Sequence, residues 1–120
     1  MNNKENIVKE KSFRLAVRIV NLYKFLVETK KEYVLSKQIL RSGTSIGANI
    51  EEADGGISKS DFSSKISIAY KEAKETHYWL RLLHETGYID EDSFNSMIAD
   101  CNEPCKLLFA ILKSTHRVRK

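Results

Sequence analysis

Residues Arg41 to Ala53 read R-S-G-T-S-I-G-A-N-I-E-E-A, and this stretch decides the fold class. Ile39, Gly43, Ile46, Ile50 and Ala53 fall at i, i+4, i+7, i+11 and i+14, a single stripe of a 3.6-residue helix. The stretch carries two glycines, Gly43 and Gly47, and each costs a helix roughly 0.5–1 kcal/mol relative to alanine. A neighbouring helix that packs almost main chain to main chain is the usual compensation. The alternative is an ordinary helix with two weak points.

The pattern continues on both sides. Gly55-Gly56 ends the helix, which spans Leu35 to Asp54, and Ser58 or Ser60 is placed to cap a third helix from about Asp61 to Glu85. Its stripe runs Phe62, Ile66, Ala69, Ala73, Thr76, Leu80 and Leu83, with Ile68, Tyr78, Trp79 and Leu82 lying off that line. Gly87 fits a C-terminal cap and Asp90 the N-cap of a fourth helix. There Phe94, Ile98, Cys101, Cys105, Leu108 and Leu112 alternate gaps of four and three, a heptad seam. Pro104 lacks a backbone donor and crowds the carbonyl of Asp100, which predicts a kink or local break between them.

Upstream, residues 1–11 are polar and mixed in charge, so fraying is expected there, with Ser12 capping a first helix that starts at Phe13. From Phe13 to Thr29 two apolar stripes appear. Phe13, Val17, Val20 and Val27 form one, and Leu15, Ile19, Leu22 and Leu26 the other. A helix of a monomeric bundle needs about one such stripe, so the second suggests a subunit interface. Four helices joined by short connections predict an all-α, antiparallel, up-down-up-down four-helix bundle occupying residues 1–120 as one domain, with a basic tail at 116–120. The length suits a single core.

Composition excludes several classes. With 42% hydrophobic and 30% charged residues and one proline, the chain has the make-up of a folded, helix-rich protein rather than a disordered one. No apolar run approaches the roughly 20 residues of a membrane span, and M-N-N-K-E-N has no signal-peptide core, so a cytoplasmic protein is expected. Cys101 and Cys105 share an apolar stripe and read as buried reduced thiols.

The net charge of +4 is unevenly placed: residues 1–41 hold ten Lys/Arg against four Asp/Glu. Such asymmetry points to nucleic acid or another polyanion, although a solvated lysine-rich face is the commoner reason for any one cluster. The candidate nucleic-acid-binding set is Lys9, Lys11, Arg14, Arg18, Lys37, Arg41, Arg117, Arg119 and Lys120. Many phosphate contacts would add up to salt-sensitive binding of backbone and shape, because no base-reading motif is present.

Catalytic and metal chemistry finds no support. A di-iron bundle needs Glu-x-x-His pairs, yet Lys74, Arg81 and Lys113 stand three residues before His77, His84 and His116. Cys105 and His116 lie about 16 Å apart along one helix, too far to form a catalytic pair. Gly55-Gly56 lacks the Gly-Lys-Ser/Thr ending of a phosphate loop. No enzyme activity, cofactor or metal is therefore expected. Asn49, Glu52, Glu72 and Glu75 read instead as hydrogen-bonding groups between helices or subunits, and Trp79 as a core or interface anchor more than a base-stacking platform.

The segment S-I-G-A-N-I-E-E-A (Ser45 to Ala53), the segment Phe62 to Leu80 and the closing L-L-F-A-I-L-K resemble the four-helix-bundle family of 23S rRNA intervening sequence proteins. Ser45, Ile46, Asn49, Ile50 and Glu52 match its second-helix pattern, and Glu72, Glu75, Trp79 and Leu80 its third, whereas Ala53 stands where the family usually has glycine. The resemblance implies a bacterial protein with no established enzymatic activity. A weaker, fold-level likeness to the accessory variability protein of diversity-generating retroelements implies a homo-oligomeric ring, a pentamer, with a basic surface for RNA or DNA and a reverse transcriptase or other protein as partner. A structural or protein-interaction module without a nucleic-acid role is the alternative.

Overall fold

In the computed structural model, which describes the backbone of residues 1–119 and the side chains of residues 1–115, four helices follow one another: α1 (Asn3–Glu28), α2 (Leu35–Asp54), α3 (Lys59–Glu85) and α4 (Glu91–Arg119). Among the described residues there is no strand, and the architecture is an all-α four-helix bundle. The bundle measures 48 × 22 × 20 Å, its length close to the roughly 43 Å expected of a 29-residue helix at 1.5 Å per residue.

The local signals explain most boundaries. Ser58 caps α3 by accepting a hydrogen bond from the Asp61 N–H at 3.0 Å, and Asp90 does the same for Ser93 at 2.8 Å. Gly87 lies just past α3 at φ +83°, the left-handed conformation that glycine adopts without a Cβ penalty.

The first helix differs from expectation. Rather than fraying to residue 11, it begins at Asn3, because Asn2 and Glu5 form a reciprocal capping box and Val8 is buried in the core. Ser12 is accordingly no cap; it lies buried within α1, its hydroxyl without a hydrogen-bond partner. Nor does Pro104 break α4, which runs continuously through it. Its ring is buried between Cys101 and Leu108 on a line with Met97 and Ile111, and that packing outweighs the lost backbone bond.

Each helix packs against its neighbours in sequence, and α4 closes against α1. One continuous cluster of buried side chains fills the centre, including Leu15, Ile19, Ile46, Ile50, Ile66, Leu80 and Leu108. The α2 stripe is buried as read from the sequence, Ile39, Gly43, Ile46, Ile50 and Ala53 all facing inward. Both of its glycines lie against α1. A Cβ on Gly43 would fall 2.7 Å from Ile19 Cγ1, and one on Gly47 would fall 3.6 Å from the backbone of Ser12. The two α1 stripes have different fates: Leu15, Ile19 and Leu26 are buried, whereas Phe13 is 66% and Val17 48% exposed.

Candidate nucleic-acid interface

The candidate cations were selected for their place in the sequence, and the fold distributes them over three grooves. Lys9 reaches across to the end of α2, 2.8 Å from Asp54 and 3.4 Å from Glu51. Its hydrogen bond to Asp54 raises the ammonium pKa above the ordinary lysine value, although burial acts the other way. Arg18 crosses to α4 and meets Asp100 at 2.6 Å. Arg41 turns to α3, binding Glu72 at 3.1 Å and also Glu75. Arg14 pairs with Glu10 one turn away at 2.8 Å. Thus four of the cations are tied to carboxylates, three of them across helix boundaries. Lys11 and Lys37 are exposed and have no carboxylate partner among the described residues. Arg117, Arg119 and Lys120 lie outside the residues whose side chains are described.

The polar residues of α2 and α3 show a related pattern. Glu75 also accepts a hydrogen bond from Trp79 Nε1 at 2.9 Å, so Arg41, Glu72, Glu75 and Trp79 form one network over the α2/α3 groove. Glu52 pairs with Lys65 at 2.8 Å. Asn49 and Ser45 instead bond back to their own helix, to the carbonyls of Ser45 and Ser42. Beneath this surface the Thr76 and Ser42 hydroxyls, both fully buried, lie 2.9 Å apart across α2 and α3. Among the described residues no three His, Cys, Asp or Glu side chains gather as metal ligands, and no helix is long and apolar enough to cross a membrane.

The fold and these α2/α3 contacts agree with what comparison finds. The family model for the 23S rRNA-intervening sequence protein matches residues 4–110. The chain belongs to that family. A crystal structure from Bacteroides thetaiotaomicron VPI-5482, a protein of unknown function from the S23 ribosomal protein family, is 59% identical, with a TM-score of 0.90 over 92% of this chain and 98% of that one. No curated protein matches. The family segments of α2 and α3 therefore coincide with the closest polar bracing of the bundle, the Arg41–Glu72–Glu75–Trp79 network.

A second set of cations was missed by reading the N-terminal charge excess alone. Lys74, Arg81, Lys106 and Lys113 belong to stretches whose charges balance, so composition did not mark them. Among the described residues none of the four has a carboxylate within ion-pair distance. Their helical spacing was the available signal: Lys74, His77 and Arg81 fall at i, i+3 and i+7.

Proposed function

We propose that this family member is a non-enzymatic bundle that assembles with copies of itself and binds RNA or DNA through a basic surface without reading base sequence. The observation that carries the assembly is the Phe13–Val17 stripe, apolar and open on the outer side of α1 while the opposite stripe of the same helix fills the core. An uncovered aromatic beside a β-branched residue on a helix already packed on its other side is what a subunit contact requires. Ile68, exposed on α3, gives a second and different contact point, and two unlike faces support a closed ring. A ring of five rests on the resemblance alone.

The helix pairs support an up-down-up-down course. Gly43 meets Ile19 while Gly47 meets Ser12, so residue numbers rise on α2 as they fall on α1. Arg41 meets Glu75 while Glu52 meets Lys65, the same opposition between α2 and α3. The chain's net charge of +4 supports binding to a polyanion. An accessory role beside a reverse transcriptase or another protein rests on the fold-level likeness, and a cytoplasmic location on the sequence.

Light scattering at micromolar concentration tests the assembly. The expected result is a mass several times 13.8 kDa that falls to the monomer in Phe13→Glu/Val17→Glu with helix content kept. A monomeric wild type would refute it. Binding to a panel of structured RNA and DNA at low and moderate salt tests the second half, and its absence at low salt would leave a purely structural or protein-interaction module.

A further inference from the structure

The outer groove between α3 and α4 combines two features that are separate elsewhere on the bundle: cations free of carboxylates and aromatic rings open to solvent. Near the loop that joins the two helices it widens into a cleft of about 580 Å³ between Arg81, His77 and Tyr78 on one side and Phe94 and Ile98 on the other. His84 lies flat on Phe94, with centroids 4.3 Å apart and planes within 10°. Further along is a second depression of about 270 Å³ formed by Tyr70, Cys105, Lys106 and Phe109. Tyr70 and Phe109 lie 5.9 Å apart across it, and Lys113 Nζ is 5.8 Å from the Phe109 ring.

Lys74 lies between the two hollows. His77 titrates below the usual histidine range, first because burial disfavours its cation and then because Arg81 and Lys74 stand beside it. Lys74 also acts on Cys105, opposing the rise that burial imposes on that thiol. The two depressions are thus ends of one positively charged trough. The acidic groups nearby are Glu85, at the edge of the cleft, and Glu91, 4.0 Å from His84 Nε2. From Tyr70 to His84 the trough runs about 21 Å at 1.5 Å per residue. Tyr78 is 51% and Phe109 50% exposed, so their rings present open faces.

We infer that the α3/α4 groove binds an unpaired stretch of nucleic acid, its phosphates held by Lys74, Arg81, Lys106 and Lys113 and its bases stacked on Tyr78 and Phe109. Charge complementarity selects a polyanion, and solvent-facing rings spaced along a basic trough select one that carries flat bases. A duplex hides its bases inside the helix, so a single strand is the form that uses both features. This rests on the nucleic-acid reading above but moves its surface away from the paired cations of α1 and α2.

The test is fluorescence anisotropy with an oligouridylate, the matching oligothymidylate and a blunt duplex, with inorganic polyphosphate as competitor, on the full chain. Arg81→Glu/Lys106→Glu is compared with Lys4→Glu/Lys24→Glu, which makes the same charge change on exposed positions of α1. The expected result is single-strand binding that weakens tenfold or more in the groove variant and less than twofold in the control. Replacing the two groove cations by neutral glutamine should lower the slope of log K against log salt by about 1.4. Tyr78→Ala/Phe109→Ala, with its helix content checked by circular dichroism, should weaken the oligouridylate by about fivefold or more and leave polyphosphate affinity unchanged.

Equal loss in the groove variant and the control would overturn the groove while leaving nucleic-acid binding intact. Preference for duplex, or displacement by polyphosphate at equal phosphate concentration, would overturn the single-strand assignment. Failure to bind any nucleic acid at low salt would overturn both this inference and the reading beneath it.

Discussion

Ile19 occupies the space that a side chain at Gly43 would need: a Cβ there would lie 2.7 Å from Ile19 Cγ1 and 2.8 Å from Cγ2. Both carbons branch directly from the Ile19 Cβ, itself 3.1 Å away, so no distant rotamer change relieves the contact and α1 has to move. Gly43→Ala should therefore destabilise by about 1–3 kcal/mol, more than alanine's helix preference of roughly 0.5–1 kcal/mol returns. Gly47→Ala meets only ordinary contacts, the nearest at 3.6 Å, and should be neutral or stabilising by up to about 1 kcal/mol. Urea denaturation of the two variants checks the contrast; equal losses would contradict it.

Glu32 supplies the N-terminal anchor of α2, where Val34 offers no side-chain cap. Its carboxylate accepts the backbone N–H groups of Ser36 at 2.7 Å, Leu35 at 3.0 Å and Val34 at 3.1 Å. Burial pushes its pKa up, but these hydrogen bonds prevail and hold it below the usual glutamate range. A depressed folded pKa contributes stability above the unfolded value and loses it as pH falls through the folded one. Glu32→Gln should thus be less stable than wild type at neutral pH, and the gap should close on acidification below the ordinary glutamate pKa. A gap that widens in acid would contradict this.

Trp79 reports on the network over α2 and α3. Glu75→Ala removes the acceptor of the indole N–H and one partner of Arg41. Because Arg41 is half exposed, the ion pair contributes little, and the whole loss should be about 1 kcal/mol. The emission of the single tryptophan should shift to the red. Lys65→Ala, which removes only the exposed pair with Glu52, should change stability by less than about 0.5 kcal/mol.

The two thiols should be slow nucleophiles. Burial pushes Cys101 up to about 12, with Cys105 adding to the effect, and burial also raises Cys105. Since the thiolate is the reactive form, iodoacetamide at pH 8 should label the native protein far more slowly than the protein in guanidinium, as mass spectrometry would show. Rapid native labelling of Cys101 would mean that α4 opens from the core.

Much of the fold was legible because the signals are local. Helix α2 ends where Gly55-Gly56 predicts, α3 is capped by Ser58, and the stripe from Ile66 to Leu83 is buried. The start of α1 was misread because a polar, mixed-charge surface sequence conceals one deciding apolar residue, Val8, and a capping box made by Asn2 and Glu5. On α4 the predicted seam was only partly the buried line. Cys101 and Leu108 are buried, but Met97, Pro104 and Ile111 share their burial, while Phe94, Ile98, Cys105 and Leu112 stand at its margin.

The candidate surface was less legible. Charge counting selected Arg18 and Arg41, whose partners Asp100 and Glu72 stand 82 and 31 residues away. It passed over Lys74 and Arg81, because carboxylates elsewhere in their segment balanced them on paper.

By itself the sequence determined four amphipathic helices, their inward stripes and the close approach at Gly43 and Gly47, because helical periodicity and capping are written within a few residues of each position. Only the tertiary structure decided which cations are neutralised, which of α1's two stripes is left uncovered and which aromatic rings share a groove with free charge. Those outcomes depend on residues tens of positions apart meeting across helix boundaries, a relation that no local period records.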